Sequence, residues 1–202
     1  MDKNTTQIGY REWLVWVLAS AAGMAAGGLL CFLVLQGLMR LVSSLNEDRV
    51  FIFILLPCLG MGLGMSQWLV LRQRIPQAWR WIAVSMVGFA ASLLVFYGYG
   101  YVQLLDEGQA PAWLDPVFLP AVGAVVGLAQ WLVLRQSYSG MGLWVLASAI
   151  GFLGALWLFF YPVTTAAGGI GFLALLGALL GAVTGLLWMR LQLGHDKRLQ
   201  GA

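Results

Sequence analysis

Gln67-Trp-Leu-Val-Leu-Arg-Gln73 recurs without a change as Gln130-Trp-Leu-Val-Leu-Arg-Gln136. Seven identical residues in two places mark an internal repeat, and a repeat dictates architecture before any local signal does. The rest of the chain keeps the same metre. Trp16-Val-Leu-Ala-Ser20-Ala-Ala-Gly23 returns as Trp81-Ile-Ala-Val-Ser85-Met-Val-Gly88 and again as Trp144-Val-Leu-Ala-Ser148-Ala-Ile-Gly151. A third glutamine segment is degraded, with Gly177-Ala-Leu-Leu-Gly181-Ala-Val-Thr184 standing where Gly60-Met-Gly-Leu-Gly64-Met-Ser-Gln67 stands first. The chain reads as three units, about 12–75, 78–138 and 141–193, within a single membrane domain spanning 1–202.

Each unit holds two apolar stretches. The 202 residues are 61% apolar and only 9% charged, with a mean hydropathy of +0.85, a balance no ordinary water-soluble domain shows. The stretches Trp13–Met39, Val50–Leu71, Trp81–Val102, Val117–Leu134, Leu143–Tyr161 and Ile170–Met189 each approach the ~20 residues that carry a helix across a bilayer. The expected fold is all-α and integral to the membrane: six transmembrane helices as three tandem, parallel-oriented helical hairpins. The N-terminal Ala19-Ser20-Ala21 imitates a signal-peptide cleavage site, but its string recurs at Trp144–Ala149 and belongs to the structure. Cys31 and Cys58 fall inside apolar stretches and read as small hydrophobes.

Basic residues orient the helices. All but two of the 11 Lys and Arg fall on the side of the termini; Arg40 and Arg49 lie opposite, with Glu47, Asp48, Asp106, Glu107 and Asp115. The positive-inside rule then places both termini in the cytoplasm of a multi-pass membrane protein. The basic pI reflects this topology and contact with membrane lipid, not nucleic acid.

Spacing indicates which faces meet. Trp16, Ser20, Gly23 and Gly27 share one helix face, as do Trp81, Ser85, Gly88 and Ser92, and Trp144, Ser148, Gly151 and Ala155. In the alternate helices Gly60, Gly64 and Gln67 form the stripe, then Gly123, Gly127 and Gln130, then Gly177, Gly181 and Thr184. Small residues four apart let helices approach closely in lipid, and a buried amide needs a partner. The pairs Ser20–Gln67, Ser85–Gln130 and Ser148–Thr184 are expected to meet within each unit as a helix-packing polar layer. The cytoplasmic-end tryptophans, Trp16, Trp81, Trp144 and Trp188 among them, are expected to form an interfacial belt. Pro57 and Pro120 are placed at the outer starts of their helices.

Catalytic groups are scarce. No apolar stretch contains Asp, Glu or His, and Arg72 and Arg135 read as interfacial ends, candidates for lipid or partner contacts. His195 stands in a charged tail, and no zinc spacing, phosphate loop or nucleophile–base pair is present. Neither an enzyme nor a metal site is expected. The aromatic surplus is at the outer side, where Tyr97, Tyr99 and Tyr101 crowd one helix end and Trp157, Phe159, Phe160 and Tyr161 another. Their planar faces are candidate contacts for an apolar ligand or pigment.

The paired phrases Gln-Trp-Leu-Val-Leu-Arg and Trp-Val-Leu-Ala-Ser-x-x-Gly resemble those of a group of small polytopic bacterial membrane proteins, filamentous phototrophs included, for which no catalytic residue is known. The resemblance covers about Trp13 to Gly151. It implies an accessory role in a photosynthetic membrane complex, with carotenoid or bacteriochlorophyll as cofactor. The departure at Thr184 suggests a third unit turned toward a partner subunit. The function expected is a non-enzymatic scaffold holding lipid or pigment between helices. The alternative is a small transporter or channel for an apolar or neutral solute, lined by Ser20, Ser85, Ser148, Gln67, Gln130 and Thr184.

Overall fold

The computed structural model describes the backbone of residues 3–41, 47–105, 114–136, 142–154 and 165–200, and side chains over 9–41, 50–100, 117–136, 142–154, 165 and 167–190. Among the described residues the chain is helical apart from short turns, with no strand. In hydrocarbon no water can satisfy a peptide group, so each backbone N–H and C=O must pair inside its own segment, and the helix does this.

The helices in chain order are α1 (Lys3–Leu41), α2 (Glu47–Leu71), α3 (Arg80–Ala91), α4 (Leu93–Leu105), α5 (Leu114–Leu134), α6 (Leu143–Leu153) and α7 (Ala166–Gln200). Helices α3 and α4 form one crossing, interrupted at Ser92. There the Ser92 hydroxyl donates to the Gly88 carbonyl at 3.0 Å, and its backbone N–H reaches both Gly88 and Phe89 at 3.1 Å. Serine bonding back to its own helix bends the axis. Five crossings are long and apolar enough to span a bilayer, and the protein is a multi-pass membrane protein in contact with lipid. Of the remaining expected crossing, Leu143–Tyr161, residues up to Gly154 are described, with a helix over Leu143–Leu153.

Two expectations about helix ends change. Pro57 and Pro120 lie inside α2 and α5, because both helices begin further upstream than their apolar stretches. Neighbouring helices and local adjustments tolerate such prolines in membranes. The turn between α2 and α3 carries Gln77 in the left-handed region, at φ 55°, while Ile75 and Ala78 tuck under the bundle.

The helices close a ring. α1 packs on α2, α2 on α3, α3 on α5, α5 on α6, α6 on α7, and α7 back on α1. Large apolar side chains such as Leu18, Leu33, Val87, Leu94, Leu128, Leu146 and Leu175 point outward, as a lipid-facing surface requires. Inside the ring, one apolar cluster gathers Met24, Leu63, Phe89, Val126, Phe152 and Leu180. A second gathers Trp16, Trp81, Trp144 and Trp188 with Leu71 and Leu134.

Candidate functional site

The tryptophans are the largest departure from the sequence reading. Trp16, Trp81, Trp144 and Trp188 are not an interfacial belt, for each is at most 1% exposed. Trp16, Trp81 and Trp144 meet edge to face on the axis, with centroids 6.3, 6.0 and 5.7 Å apart. Such pairs contribute about 0.5–1.5 kcal/mol beyond area burial. Position alone could not separate belt from core. The serine-and-glycine stripe shared by each of the three could have done so, since it already pointed inward.

Each indole N–H is satisfied by a polar group of the layer. Trp81 Nε1 donates to Gln67 Oε1 at 2.9 Å, and Gln67 Nε2 donates to Ser20 Oγ at 3.0 Å. Trp144 Nε1 donates to Gln130 Oε1 at 3.0 Å, and Gln130 Nε2 donates to Ser85 Oγ at 3.1 Å. Each glutamine therefore uses both ends of its amide. One end ties it to the serine of its own hairpin, the other to the tryptophan of the following helix.

The third chain of bonds departs from the pattern. Trp16 Nε1 donates to Thr184 Oγ1 at 3.0 Å, so the first helix supplies the indole that follows the last polar residue. Thr184 is too short to span to a serine as glutamine does, and its hydroxyl donates to the Leu180 carbonyl at 2.7 Å. The expected Ser148–Thr184 bond is not formed. Ser148 Oγ is buried and has no hydrogen-bond partner among the described residues. Nor does the third unit turn toward a partner subunit on this face: a Cβ at Gly181 would lie 2.8 Å from Ser20 Cβ, and one at Gly177 2.8 Å from Met24 Cγ.

The glycine stripes also join different helices from those expected. A Cβ at Gly60 would meet Met86 Cα at 2.7 Å, and one at Gly64 would meet Ile82 Cα at 2.9 Å, both on α3. Gly127 is as tightly placed against Ser148 and Val145 on α6. These glycines seal the seam to the next hairpin. Within the first hairpin the close approach belongs to Gly23 and Gly27, whose added Cβ atoms would meet the Gly62 and Cys58 carbonyls at 2.6 Å.

Compensation accompanies the Thr184 departure. One turn beyond Gln67 and Gln130 stand Leu71 and Leu134; one turn beyond Thr184 stands Trp188. Trp188 stacks on Trp16 at 5.8 Å with planes 20° apart. A small residue where the others have glutamine is thus matched by a large one where they have leucine, which keeps the interior filled.

The remaining candidates are more dispersed. Arg72 and Arg135 are exposed, and each guanidinium lies over a tryptophan of its own helix, Trp68 at 5.8 Å and Trp131 at 5.1 Å. Tyr97 is 53% exposed and leans on Phe53 at 5.7 Å. Tyr99 packs instead on Phe118 at 4.7 Å, so the two tyrosines do not form one platform. The side chain of Tyr101, and Trp157, Phe159, Phe160, Tyr161 and the side chain of His195, lie outside the described residues. Cys31 and Cys58 are buried free thiols. No group of metal-ligating side chains occurs among the described residues.

No family of known proteins, no curated protein and no solved structure matches this chain.

Proposed function

We propose that the protein is a non-enzymatic scaffold subunit of a larger membrane complex, holding lipid or pigment against its helices. The observation that carries this reading is the filled axis. Trp16, Trp81 and Trp144 occupy it in mutual contact, and Phe89 packs against Phe152 in the neighbouring apolar cluster at 6.1 Å. A transporter needs a polar layer free to exchange protein partners for solute. Here the amides of Gln67 and Gln130 are already committed at both ends, which favours a rigid docking body over a conduit.

The orientation belongs to the same proposal. Arg11, Arg74 and Arg80 lie at the end of the bundle that also carries the tryptophan cluster, and Arg74 pairs there with Glu12. The positive-inside rule makes that end cytoplasmic, in a bacterial inner membrane. The ligand class is the apolar one that the sequence resemblance implies, carotenoid or bacteriochlorophyll, or membrane lipid itself.

Purification from the native membrane at endogenous expression tests this. The proposal expects partner subunits at fixed stoichiometry, with an absorption band where pigment is the ligand. A solitary, colourless protein that moves a neutral solute into proteoliposomes would replace it with the transporter reading.

A further inference from the structure

Two cavities lie end to end along the α1–α2 seam and share Leu69. The first, of about 340 Å³, is at the tryptophan-cluster end and is lined by Arg11, Glu12, Val15, Gln73, Arg74 and Leu69 among others. The second, of about 350 Å³, is an apolar groove between Ala22, Ala26 and Leu30 of α1 and Met61, Met65 and Leu69 of α2. Arg11, Val15, Ala22, Ala26 and Leu30 recur at helical spacing on a single face of α1. The seam is therefore a single amphipathic track, cationic and amide-bearing at one end and apolar along its length.

We infer that this track is a binding site for one anionic phospholipid, its head group between Arg11, Gln73 and Arg74 and one acyl chain in the groove. Charge argues for the head group. Arg11 has no ion-pair partner among the described residues, and Gln73 is exposed beside it. Arg74 shares the cavity but pairs with Glu12, so the track carries a net positive charge. Length argues for the chain. From Val15 to Leu30 α1 rises about 22 Å, enough for the ~15 Å of hydrocarbon in one leaflet. Small residues make the room: Ala22 and Ala26 leave the groove open where larger side chains would close it.

This deepens the lipid-holding part of the proposed function, and loss of partner subunits on purification would leave it standing. The test is native mass spectrometry of the full chain in detergent, titrated with phosphatidylglycerol or phosphatidylcholine. The wild type is expected to retain one phosphatidylglycerol in preference to phosphatidylcholine. Arg11→Gln should weaken that retention about fivefold, since one basic group near an anionic surface contributes about 1 kcal/mol. Ala26→Phe, which fills the groove from an exposed position, should abolish it. Glu12→Gln removes the carboxylate that competes for Arg74 and should strengthen retention, a gain that mere misfolding cannot produce. Equal retention of the two lipids, no gain in Glu12→Gln, or a polyene in place of phospholipid would each overturn the inference.

Discussion

Trp16 donates its indole N–H to Thr184 across nearly the whole length of the chain, at 3.0 Å, both residues being buried. This bond joins the first helix to the last. It stands where Trp81 stands to Gln67 and Trp144 to Gln130, so an open series of hairpins becomes a closed ring.

Thr184→Val keeps the shape of the side chain and removes the acceptor. It leaves the Trp16 indole buried and unpaired, which costs about 1–3 kcal/mol. Unfolding in detergent, followed by near-ultraviolet circular dichroism of the tryptophans, measures it. A variant as stable as the wild type would show that the bond contributes nothing.

Thr184 and Trp188 are expected to behave as a coupled pair. Thr184→Gln alone overpacks the layer, at a cost of about 1–3 kcal/mol, and Trp188→Leu alone leaves a void beside Trp16. Together they recreate the Gln67–Leu71 pattern and give the new amide Ser148 as a partner. The double variant should be less destabilised than the two single costs combined, an interaction of about 0.5–3 kcal/mol in a double-mutant cycle. Strict additivity would reject the compensation.

Gln130→Leu removes two bonds. The Ser85 hydroxyl can turn to its own helix backbone, but the Trp144 indole is left without an acceptor. The expected loss is about 1–3 kcal/mol, governed by that stranded donor. Adding Trp144→Phe should then cost less than it does in the wild-type background, since the donor is already orphaned. Equal cost in both backgrounds would assign the loss to packing alone.

Glycine substitutions should sort by what the new methyl meets. Gly60→Ala and Gly27→Ala drive a Cβ against backbone atoms, at 2.7 Å from Met86 Cα and 2.6 Å from the Cys58 carbonyl, and each is expected to cost about 1–3 kcal/mol by overpacking. Gly98→Ala meets nothing within 4 Å on α4 and should be neutral or stabilising, since alanine favours helix by up to about 1 kcal/mol. Melting temperatures of the three in one detergent provide the comparison. Similar losses at Gly98 and Gly60 would remove close approach as the cause.

Much of this fold was legible in the chain because lipid leaves few options. Apolar stretches of helical length, a repeated phrase and glycines four apart together imply packed transmembrane hairpins. Spacing also placed Ser20 with Gln67 and Ser85 with Gln130, since each member lies in a stripe of small residues on one of the two helices of a hairpin. Position near a helix end could not show that Trp16, Trp81 and Trp144 turn inward, because such a tryptophan serves a belt or a core equally well; only the serine-and-glycine stripe that each shares pointed there. Ring closure was hidden for a related reason. Thr184 reads as a lost glutamine until Trp16 is seen beside it, and no local pattern links positions so far apart. The outer aromatics were legible only as composition, and Tyr97 and Tyr99 turn out to lean on different helices.

Closure of the ring within one chain encloses the filled axis that carries the scaffold reading, and cross-linking in intact membranes tests it most directly. Gly28 of α1 faces Leu173 of α7. With Cys31 and Cys58 replaced by alanine, Gly28→Cys and Leu173→Cys in one molecule should be joined by a short bis-maleimide into an intramolecular product, while each single variant remains unlinked. A product that forms only between chains, or no product at all, would contradict the closed ring.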